Sequence, residues 1–374
     1  MRQHFSSILL FAVLAALIPL IALNPAFSPP QNLQSQQPNH NASSDSSSSL
    51  TQENNEIPAN TQDSQLTEPS MPETPELPSG TAPVMEESGT FSILDESSGK
   101  LFSVSSKDFI RGALAAEMPP TFHPEALKAQ AVAAHTYALC VQAMQQESPD
   151  PALKGADLSA DPENWKSYTT EKIFRQRYGN MADAYWKAIT DAADQVADYI
   201  MVYDNRPIVA AYHSMNTGMT EDASNVWTGN APYLVPVKSR GDALAPDFQV
   251  QQDFPAQEVK KALESLSADI SLGDNPQNWI APGQRSPSGY ILTVNIGGKD
   301  FPAKDIRTLL GLRSTSFLLN YANDTFSFTV QGYGHGVGLS QYGADWYARQ
   351  GMDFAQILSH YYPTAELGIV REIT

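Results

Sequence analysis

The sequence predicts an α+β protein in which a helical segment packs with a mixed, β-rich region. Helical apolar spacing is concentrated between residues 105 and 196, whereas short strand patterns separated by turn residues dominate from residue 199 onwards. The chain of 374 residues is 41% hydrophobic, which suits a globular domain, but this content is unevenly distributed. From Asn24 to about Glu87 the sequence is mostly Ser, Gln, Asn, Pro, Thr and Glu, a composition typical of disorder.

The N-terminus carries an apolar run from Ile8 to Leu23, preceded by Arg2 and interrupted by Pro19. Its length suits either a short membrane anchor or a secretion-signal core, and no small-x-small cleavage pattern follows. We expect an uncleaved cell-membrane anchor at residues 1–23, a disordered tether at 24–90 and a globular domain at 91–374. The positive charge precedes the run, which places the domain outside the cytoplasm.

Charge and cysteine content exclude some functions. The net charge is −18, and no Lys or Arg occurs between Gln3 and Gly99. The chain therefore lacks the basic stripe that a nucleic-acid-binding protein uses to neutralise phosphates. Cys140 is the single cysteine, so an intramolecular disulfide is excluded.

The globular part begins with two short strands, followed by helices. Ser105, with Asp108 three residues later, is typical of a helix N-terminus, and Met118 before Pro119 ends that helix. Pro124 suits the first turn of a second, alanine-rich helix. The predicted ranges are 91–94 and 101–104 for the strands, and 105–118, 124–146 and 181–196 for the helices.

Beyond residue 199 the pattern becomes β-rich. Residues 199–203 and 208–213 flank Asp204-Asn205-Arg206-Pro207 and predict a hairpin. Further strands are predicted at 290–296 and 326–330. Helices are predicted at 305–310, 339–349 and 354–361.

Glu117 is the first candidate for chemistry. It lies at the end of an apolar helix, in Ala115-Ala116-Glu117-Met118-Pro119. Apolar surroundings disfavour the charged form of a carboxyl group and raise its pKa, which makes the group a useful proton donor near neutral pH. The alternative is a solvated helix end.

A polar loop follows the predicted strand that ends at His213-Ser214. Its hydroxyl, amide and aromatic groups suit a sugar-binding cleft, although an ordinary turn-rich loop has the same composition. His213 and Ser214 are adjacent in a strand and point to opposite faces, so they do not form a catalytic pair. The loop contains Asn216, Thr217, Gly218, Thr220, Glu221 and Trp227.

A glycine-rich stretch runs from Gly332 to Gly343. Alternating glycines permit backbone dihedrals that other residues avoid, or the close approach of a ligand. It is not a dinucleotide fingerprint, because Leu339 stands where the third glycine would fall. His335 is either a ligand-facing group or a buried structural histidine.

His135 and Cys140 are candidate zinc ligands. Residues five apart on a helix are separated by about 140° around the axis, which is awkward for one metal. No dense ligand motif accompanies them, and a buried, inert thiol is the alternative.

Several segments in order resemble the sporulation protein D / amidase-enhancer family. They cover nearly all of residues 100–362. The matching segments are Asp108–Pro119, Pro124–Ala134, Tyr212–Ser214, Gly218, Thr220–Glu221, Trp227, Pro232–Leu234, Leu309–Ser314 and Gly332–Ala344.

The resemblance implies a peptidoglycan lytic transglycosylase that acts in forespore engulfment during sporulation, with Glu117 as its catalytic acid. It implies peptide-stripped glycan strands as substrate, and a sporulation protein P-like amidase/endopeptidase and a sporulation protein M-like membrane scaffold as partners. No cofactor is required for the chemistry. Candidate substrate-binding residues are Lys128, His213, Ser214, Asn216, Thr220, Glu221, Tyr333, His335, Ser340, Gln341 and Tyr342.

One position departs from the family pattern. His135 stands where many relatives have Arg in an Ala-Arg-Thr sequence, so the role of that arginine is either lost or replaced. Together with Cys140, His135 strengthens the zinc hypothesis.

Two other functions remain open. The chain could be a non-catalytic wall-binding module that recruits or stimulates an amidase. It could also be a muramidase-type hydrolase, which canonically needs a second carboxylate, for which Glu221 is the candidate.

Overall fold

The computed structural model describes residues 83–267 and 270–372. The predicted anchor at 1–23 and nearly all of the predicted tether lie outside these ranges. Within them, no helix is both long enough and apolar enough to cross a bilayer. The described residues form the predicted mixture of helices and sheets.

Residues 83–248 and 332–372, here called the main body, begin with strand β1 (Val84–Glu87), which precedes the expected domain start at Phe91. The predicted strands appear as β2 (Thr90–Asp95) and β3 (Leu101–Ser105). They form a sheet with β4 (Leu158–Ala160), which pairs parallel to β2.

Helices α1 (Ser106–Glu117) and α2 (Pro124–Glu147) confirm the sequence prediction. Ser105 caps α1 by accepting a hydrogen bond from the Asp108 N–H at 3.1 Å. The sequence patterns did not predict α3 (Glu171–Tyr178), whereas the third expected helix appears as α4 (Ala182–Gln195). Buried alanines line α2, so neighbouring elements pack closely around it.

The predicted hairpin after residue 199 is only partly correct. Strand β5 (Tyr199–Tyr203) turns through Asp204 and Asn205, both at positive φ, into the two-residue strand β6 (Arg206–Pro207). Residues 208–211 do not continue the hairpin. Strand β7 (Tyr212–His213) instead pairs in parallel with a strand of the glycine-rich region.

Residues 249–331, here called the β-rich lobe, have their own hydrophobic core. In this lobe, two strands lead directly into helices through the same sequence, Asp-Phe-Pro-Ala, at residues 253–256 and 300–303. The lobe contains β8 (Gln249–Pro255), α6 (Ala256–Leu266), β9 (Ile280–Pro282), β10 (Thr293–Ile296), β11 (Lys299–Pro302), α7 (Ala303–Leu310), β12 (Phe317–Ala322) and β13 (Thr325–Gln331), while the short α5 (Ala223–Val226) precedes it in the main body.

The C-terminal part of the chain returns to the main body. Strand β14 (Leu339–Ser340) replaces the predicted start of a helix, and α8 (Gln341–Arg349) follows because Ser340 caps it. Helix α9 (Phe354–Tyr361) agrees with the prediction, and β15 (Glu366–Glu372) lies between β1 and β5. The central α2 contacts α1, α4, α8 and α9.

Candidate active site

Glu117 is the last residue of α1, and its side chain is buried, with 4% of its surface exposed. Burial raises the pKa of this carboxyl to about 8, because the charged form loses its hydration. The C-terminal end of a helix carries partial negative charge, which also disfavours a carboxylate. Glu117 is therefore predominantly protonated at neutral pH.

One backbone group contacts the Glu117 carboxyl. The Ser167 N–H donates a hydrogen bond to it, which opposes part of the rise in pKa. Ser167 and Trp165 both have positive φ values, of 66° and 59°, so this segment is held in a conformation that side chains disfavour. The strained segment points its amide at the carboxyl.

Gly112 allows the segment around Ser167 to lie against α1. A Cβ atom on Gly112 would come within 2.2 Å of the Tyr168 ring and 2.6 Å of the Thr169 carbonyl oxygen. The Gly112 carbonyl also accepts a hydrogen bond from the Thr169 N–H at 3.1 Å. The missing side chain at residue 112 thus determines the position of the donor to Glu117.

Tyr212 is close enough to Glu117 for the two groups to influence each other electrostatically. Burial raises the pKa of Tyr212 well above its ordinary value, and the nearby Glu117 contributes to this rise. The Tyr212 phenol is thus neutral over the pH range in which Glu117 titrates, and it can donate and accept hydrogen bonds there. Since Tyr212 lies in β7, the strand connects the acid to the next group of site residues.

The glycine-rich stretch packs against β7 and its neighbours. Gly334, Gly336 and Gly338 all have positive φ. A Cβ on Gly334 would come within 2.7 Å of His213 Cβ, and one on Gly336 within 2.4 Å of the Tyr290 ring. A Cβ on Gly338 would come within 2.1 Å of the Ala211 carbonyl oxygen. The atoms that closely approach these glycines therefore belong to the protein and not to a ligand. This close packing explains why β14 can pair with β7.

His213 and His335 lie together, with ring centroids 5.7 Å apart. His213 is buried, and its Nδ1–H donates to the Val337 carbonyl at 3.1 Å, while its Nε2 has no partner in the described part of the chain. The Nδ1 of His335 accepts from the Val337 N–H at 3.1 Å. Burial lowers the pKa of His213 to about 4 and that of His335 well below its ordinary value, so both rings are neutral near pH 7.

Glu221 is buried, with 1% exposure, but its environment differs from that of Glu117. Its Oε1 accepts from the Asp222 N–H at 2.8 Å and from Asn225 Nδ2 at 2.9 Å. Its Oε2 accepts a short hydrogen bond from the Ser286 hydroxyl. These three donors hold Glu221 as an acceptor between the polar loop and the β-rich lobe.

Four of the other candidate residues form internal hydrogen bonds, three of them in one network. The buried Asp242, which the sequence analysis did not single out, accepts from the hydroxyls of Ser239 and Ser340 and from the Asn216 N–H. The Ser340 hydroxyl also donates to the Ser214 carbonyl at 3.3 Å. Elsewhere in the loop, the Thr220 hydroxyl bridges Val235 and Val237. These contacts fix the loop.

The two aromatic candidates in the glycine-rich stretch, Tyr333 and Tyr342, are partly exposed. The Arg313 guanidinium lies 4.5 Å from the centroid of the Tyr333 ring, and Tyr342 packs edge-on against Phe122. Gln341 is buried at the start of α8. Lys128 instead pairs with Glu125 at 2.7 Å, and Glu125 accepts from the Phe354 N–H, so Lys128 helps to join α2 to α9.

The arrangement around His135 and Cys140 does not fit a zinc site. His135 Nε2 lies 3.0 Å from Glu87 Oε2, and burial raises the pKa of the Cys140 thiol to about 12, which opposes formation of the thiolate that zinc requires. Within residues 83–267 and 270–372, no cluster of three or more His, Cys, Asp or Glu residues could hold a metal. His135 instead pairs with β1.

Two recesses of about 250 Å³ and about 380 Å³ open beside this group of residues. Glu221 and Tyr290 line the smaller one, and Glu117 lines neither. Both recesses are lined by Val226, Trp227, Lys304, Arg307 and His335. Glu117, with its raised pKa, and this polar, aromatic recess are thus the two candidate parts of a functional site in an α+β protein.

Comparisons with known proteins assign the chain to a family. Residues 95–203 match the family described as Stage II sporulation protein. The chain is 36% identical over 261 residues to Stage II sporulation protein D of Bacillus subtilis, which spans 70% of this chain and 74% of the relative. It is 33% identical to the protein of that name from Bacillus amyloliquefaciens, over 77% of this chain and 81% of the relative.

The chain therefore belongs to the stage II sporulation protein D family. It is also 28% identical to the Amidase enhancer of Bacillus subtilis, over 69% of this chain and 40% of that protein. The family resemblance inferred from the sequence motifs is thus confirmed.

Proposed function

We propose that this protein is a peptidoglycan lytic transglycosylase of sporulating cells and that Glu117 is its catalytic acid and base. The observation that carries the proposal is the environment of Glu117: a buried carboxyl whose pKa is raised to about 8, with one backbone donor. Such a group holds a proton at neutral pH and can release it to a leaving oxygen. The relatives named Stage II sporulation protein D support the cellular role.

The reaction needs one carboxyl group. Glu117 donates its proton to the oxygen between N-acetylmuramic acid and N-acetylglucosamine, and the bond from that oxygen to the muramic C1 breaks. The muramic C6 hydroxyl then attacks C1 and closes a 1,6-anhydro ring, while its proton returns to Glu117. The Ser167 N–H stabilises the carboxylate between the two transfers.

Glu221 is poorly suited to be a second catalytic carboxylate. Its oxygens already accept three hydrogen bonds from the protein. A hydrolase would need an acid and a carboxylate that activates water or attacks the sugar. The geometry therefore favours the single-acid reaction over the muramidase-type hydrolase.

A second candidate function is the stimulation of an amidase without catalysis. The observation that favours it is the similarity to a protein named Amidase enhancer. Under either function, we propose that the domain acts outside the cytoplasm, tethered to the cell membrane by residues 1–23, together with an amidase/endopeptidase and a membrane scaffold.

The test uses the full-length protein in detergent with peptide-free glycan strands. Fragments are identified by mass spectrometry for the wild type, Glu117→Gln and the exposed control Glu163→Gln. We expect anhydro-muramic ends from the wild type and the control, and a loss of about 10²- to 10⁴-fold in Glu117→Gln, as for removal of a general acid.

Other outcomes would contradict the proposal in different ways. Reducing ends would indicate a hydrolase, and full activity of Glu117→Gln would exclude Glu117 as the acid. Absence of cleavage by folded protein, combined with stimulation of an added amidase that Glu117→Gln retains, would establish the non-catalytic function.

A further inference from the structure

Two positively charged side chains line both recesses at Trp227, and neither is paired with a carboxylate in the part of the chain that the structure describes. Arg307 lines both, as does Lys304 one turn earlier on α7. Arg307 Nε donates to the Leu312 carbonyl at 3.3 Å, and Lys304 Nζ donates to the Val226 carbonyl at 3.1 Å. In the described ranges neither side chain forms an ion pair with Asp or Glu.

Arg307 is partly buried, and even partial burial of an unpaired guanidinium is costly, so proteins often compensate it with an anion. Here burial lowers the pKa of Arg307, and only the phenols of Tyr333 and Tyr290 oppose this effect. Two carboxylates line the recesses. Glu221, in the smaller one, already accepts hydrogen bonds from Asp222, Asn225 and Ser286. Asp305, in the larger one, forms no ion pair with Arg307 or Lys304 in the described ranges. Arg307 therefore has no paired anion within the described residues, which leaves its guanidinium available to an anionic ligand in the recess.

The other groups of the recess suit a sugar. Trp227 and His335 pack against each other with centroids 4.8 Å apart and present aromatic surface to both recesses. Burial lowers the pKa of His335 well below its ordinary value, so its ring is neutral and adds hydrogen-bonding capacity to the recess without charge. Charge-assisted hydrogen bonds from a cation to a carboxylate are stronger than those between neutral groups, and aromatic rings provide a surface for the sugar ring, so this lining favours an acidic sugar over a neutral one.

We propose that this recess is a subsite for a sugar bearing a free carboxylate, which Arg307 and Lys304 bind while Trp227 and His335 contact the ring. The proposal rests on the proposed function for the identity of the polymer, in which N-acetylmuramic acid carries such a carboxylate when no peptide is attached. An amide-linked peptide removes that negative charge. Arg307 then distinguishes peptide-free from peptide-bearing strands.

The position of the recess supports this role. Tyr212 interacts electrostatically with Glu117, and its backbone is a hydrogen-bond partner of the His335 ring. Ala223 and Trp227 share a hydrophobic cluster with Ala115 and Met118, which lie within two residues of Glu117. A glycan strand bound at the recess would therefore extend towards Glu117.

The first measurement is binding, so that it does not depend on cleavage. Full-length protein in detergent is titrated by calorimetry with N-acetylmuramic acid, N-acetylglucosamine and D-alanyl-D-alanine. We expect N-acetylmuramic acid to bind and the neutral sugar to bind at least tenfold more weakly. Equal binding of the two sugars, or stronger binding of the dipeptide, would overturn the proposal.

The second measurement compares Arg307→Met with Lys261→Met, which removes one charge from the exposed face of α6 in the same lobe. Arg307→Met should weaken N-acetylmuramic acid binding at least tenfold and leave N-acetylglucosamine binding unchanged, and the control should do neither. Unchanged binding in Arg307→Met would contradict the proposal. Lys304→Met provides the same test if Arg307→Met does not fold by circular dichroism.

Cleavage separates the failure of this proposal from the failure of the proposed function. In an active enzyme, Arg307→Met should raise KM for peptide-free strands about tenfold with little change in kcat, because the subsite binds substrate and transition state equally. Glu117-dependent cleavage with unchanged KM would refute the subsite alone. Selective binding of N-acetylmuramic acid without any cleavage would support the subsite and refute the transglycosylase.

Discussion

The surroundings of Glu117 and of Glu221 show how two buried carboxyl groups in one protein differ. Both side chains are almost fully buried, at 4% and 1% exposure. Glu117 has one backbone donor at the strained Ser167, whereas Glu221 has three donors from two parts of the chain. The number of donors, and not the degree of burial, thus distinguishes the surroundings of these two carboxyl groups.

The largest expected effect is a difference in the free energy of unfolding between variants of the two glutamates. Glu221→Ala should lower the free energy of unfolding by about 3 kcal/mol, because three donors, among them the buried Ser286 hydroxyl, lose their acceptor. Glu117→Ala should cost distinctly less, since it removes one hydrogen bond and a costly desolvated group. Urea denaturation measures both, with the exposed Glu163→Ala as control. Equal losses for the two variants would mean that both glutamates are structural.

The pH dependence of the free energy of unfolding should test the environment of Glu117 more directly. Its pKa in the folded state, about 8, lies above the ordinary value of 4.5, so the folded state binds more protons than the unfolded state between these values. The contribution of Glu117 to stability is therefore present below about pH 4.5 and is lost as the pH rises towards 8, by on the order of a few kcal/mol.

Urea denaturation of the wild type and Glu117→Gln across pH 5 to 9 measures this effect. The wild type should lose stability relative to Glu117→Gln as pH rises, and glycan cleavage should decline above about pH 8 as the acid loses its proton. Asp242, whose pKa burial raises to about 6, contributes equally to both proteins and cancels in the difference. Parallel stability curves would show that Glu117 titrates normally.

A smaller effect is expected where α1 meets the segment around Ser167. Gly112→Ala should destabilise the protein by about 2 kcal/mol, because its methyl group would overlap the Tyr168 ring. Displacement of the Ser167 amide should also raise the pH at which cleavage declines. Gly273→Ala is the matched control, since its Cβ would meet no atom within 4 Å. A pH profile identical to that of the wild type would separate Gly112 from Glu117.

The smallest effect is expected at Ser167 itself. Ser167→Gly should change stability by only about 0.5 kcal/mol, because relief of the positive φ is offset by the greater freedom of glycine in the unfolded chain. Cleavage should persist, since the backbone amide remains. A loss of cleavage comparable to that of Glu117→Gln would show that the Ser167 hydroxyl, and not its N–H, serves the acid.

The sequence patterns predicted the parts of the fold that local residues determine. The N-cap at Ser105, the proline after Met118 and the first-turn Pro124 each define a helix boundary that the structure confirms. The segment after residue 207 was predicted wrongly, because alternating apolar residues indicate a strand without specifying its partner. Strand β7 pairs with β14, more than a hundred residues away, and only tertiary contacts select that partner.

The candidate site was predictable to a similar extent. The apolar surroundings of Glu117 indicated a raised pKa, and the structure has it. Asp242 and Ser167 were missed, because an acidic residue in a loop and a serine before a tyrosine carry no local signal of burial or strain. The glycines between residues 332 and 338 were recognised as special, but their neighbours are β7 and Tyr290, which sequence spacing does not reveal.

The β-rich lobe has a consequence for how the chain reaches its folded state. The lobe starts at Gln249 and ends at Gln331, and these two residues are paired partners in the β8–β13 ladder. Its core contains only residues from within the lobe, so it can form from contacts of modest sequence separation. Once formed, it brings its two ends together and shortens the effective loop between β7 and β14. Folding of the lobe should thus precede, and accelerate, the pairing of β7 with β14.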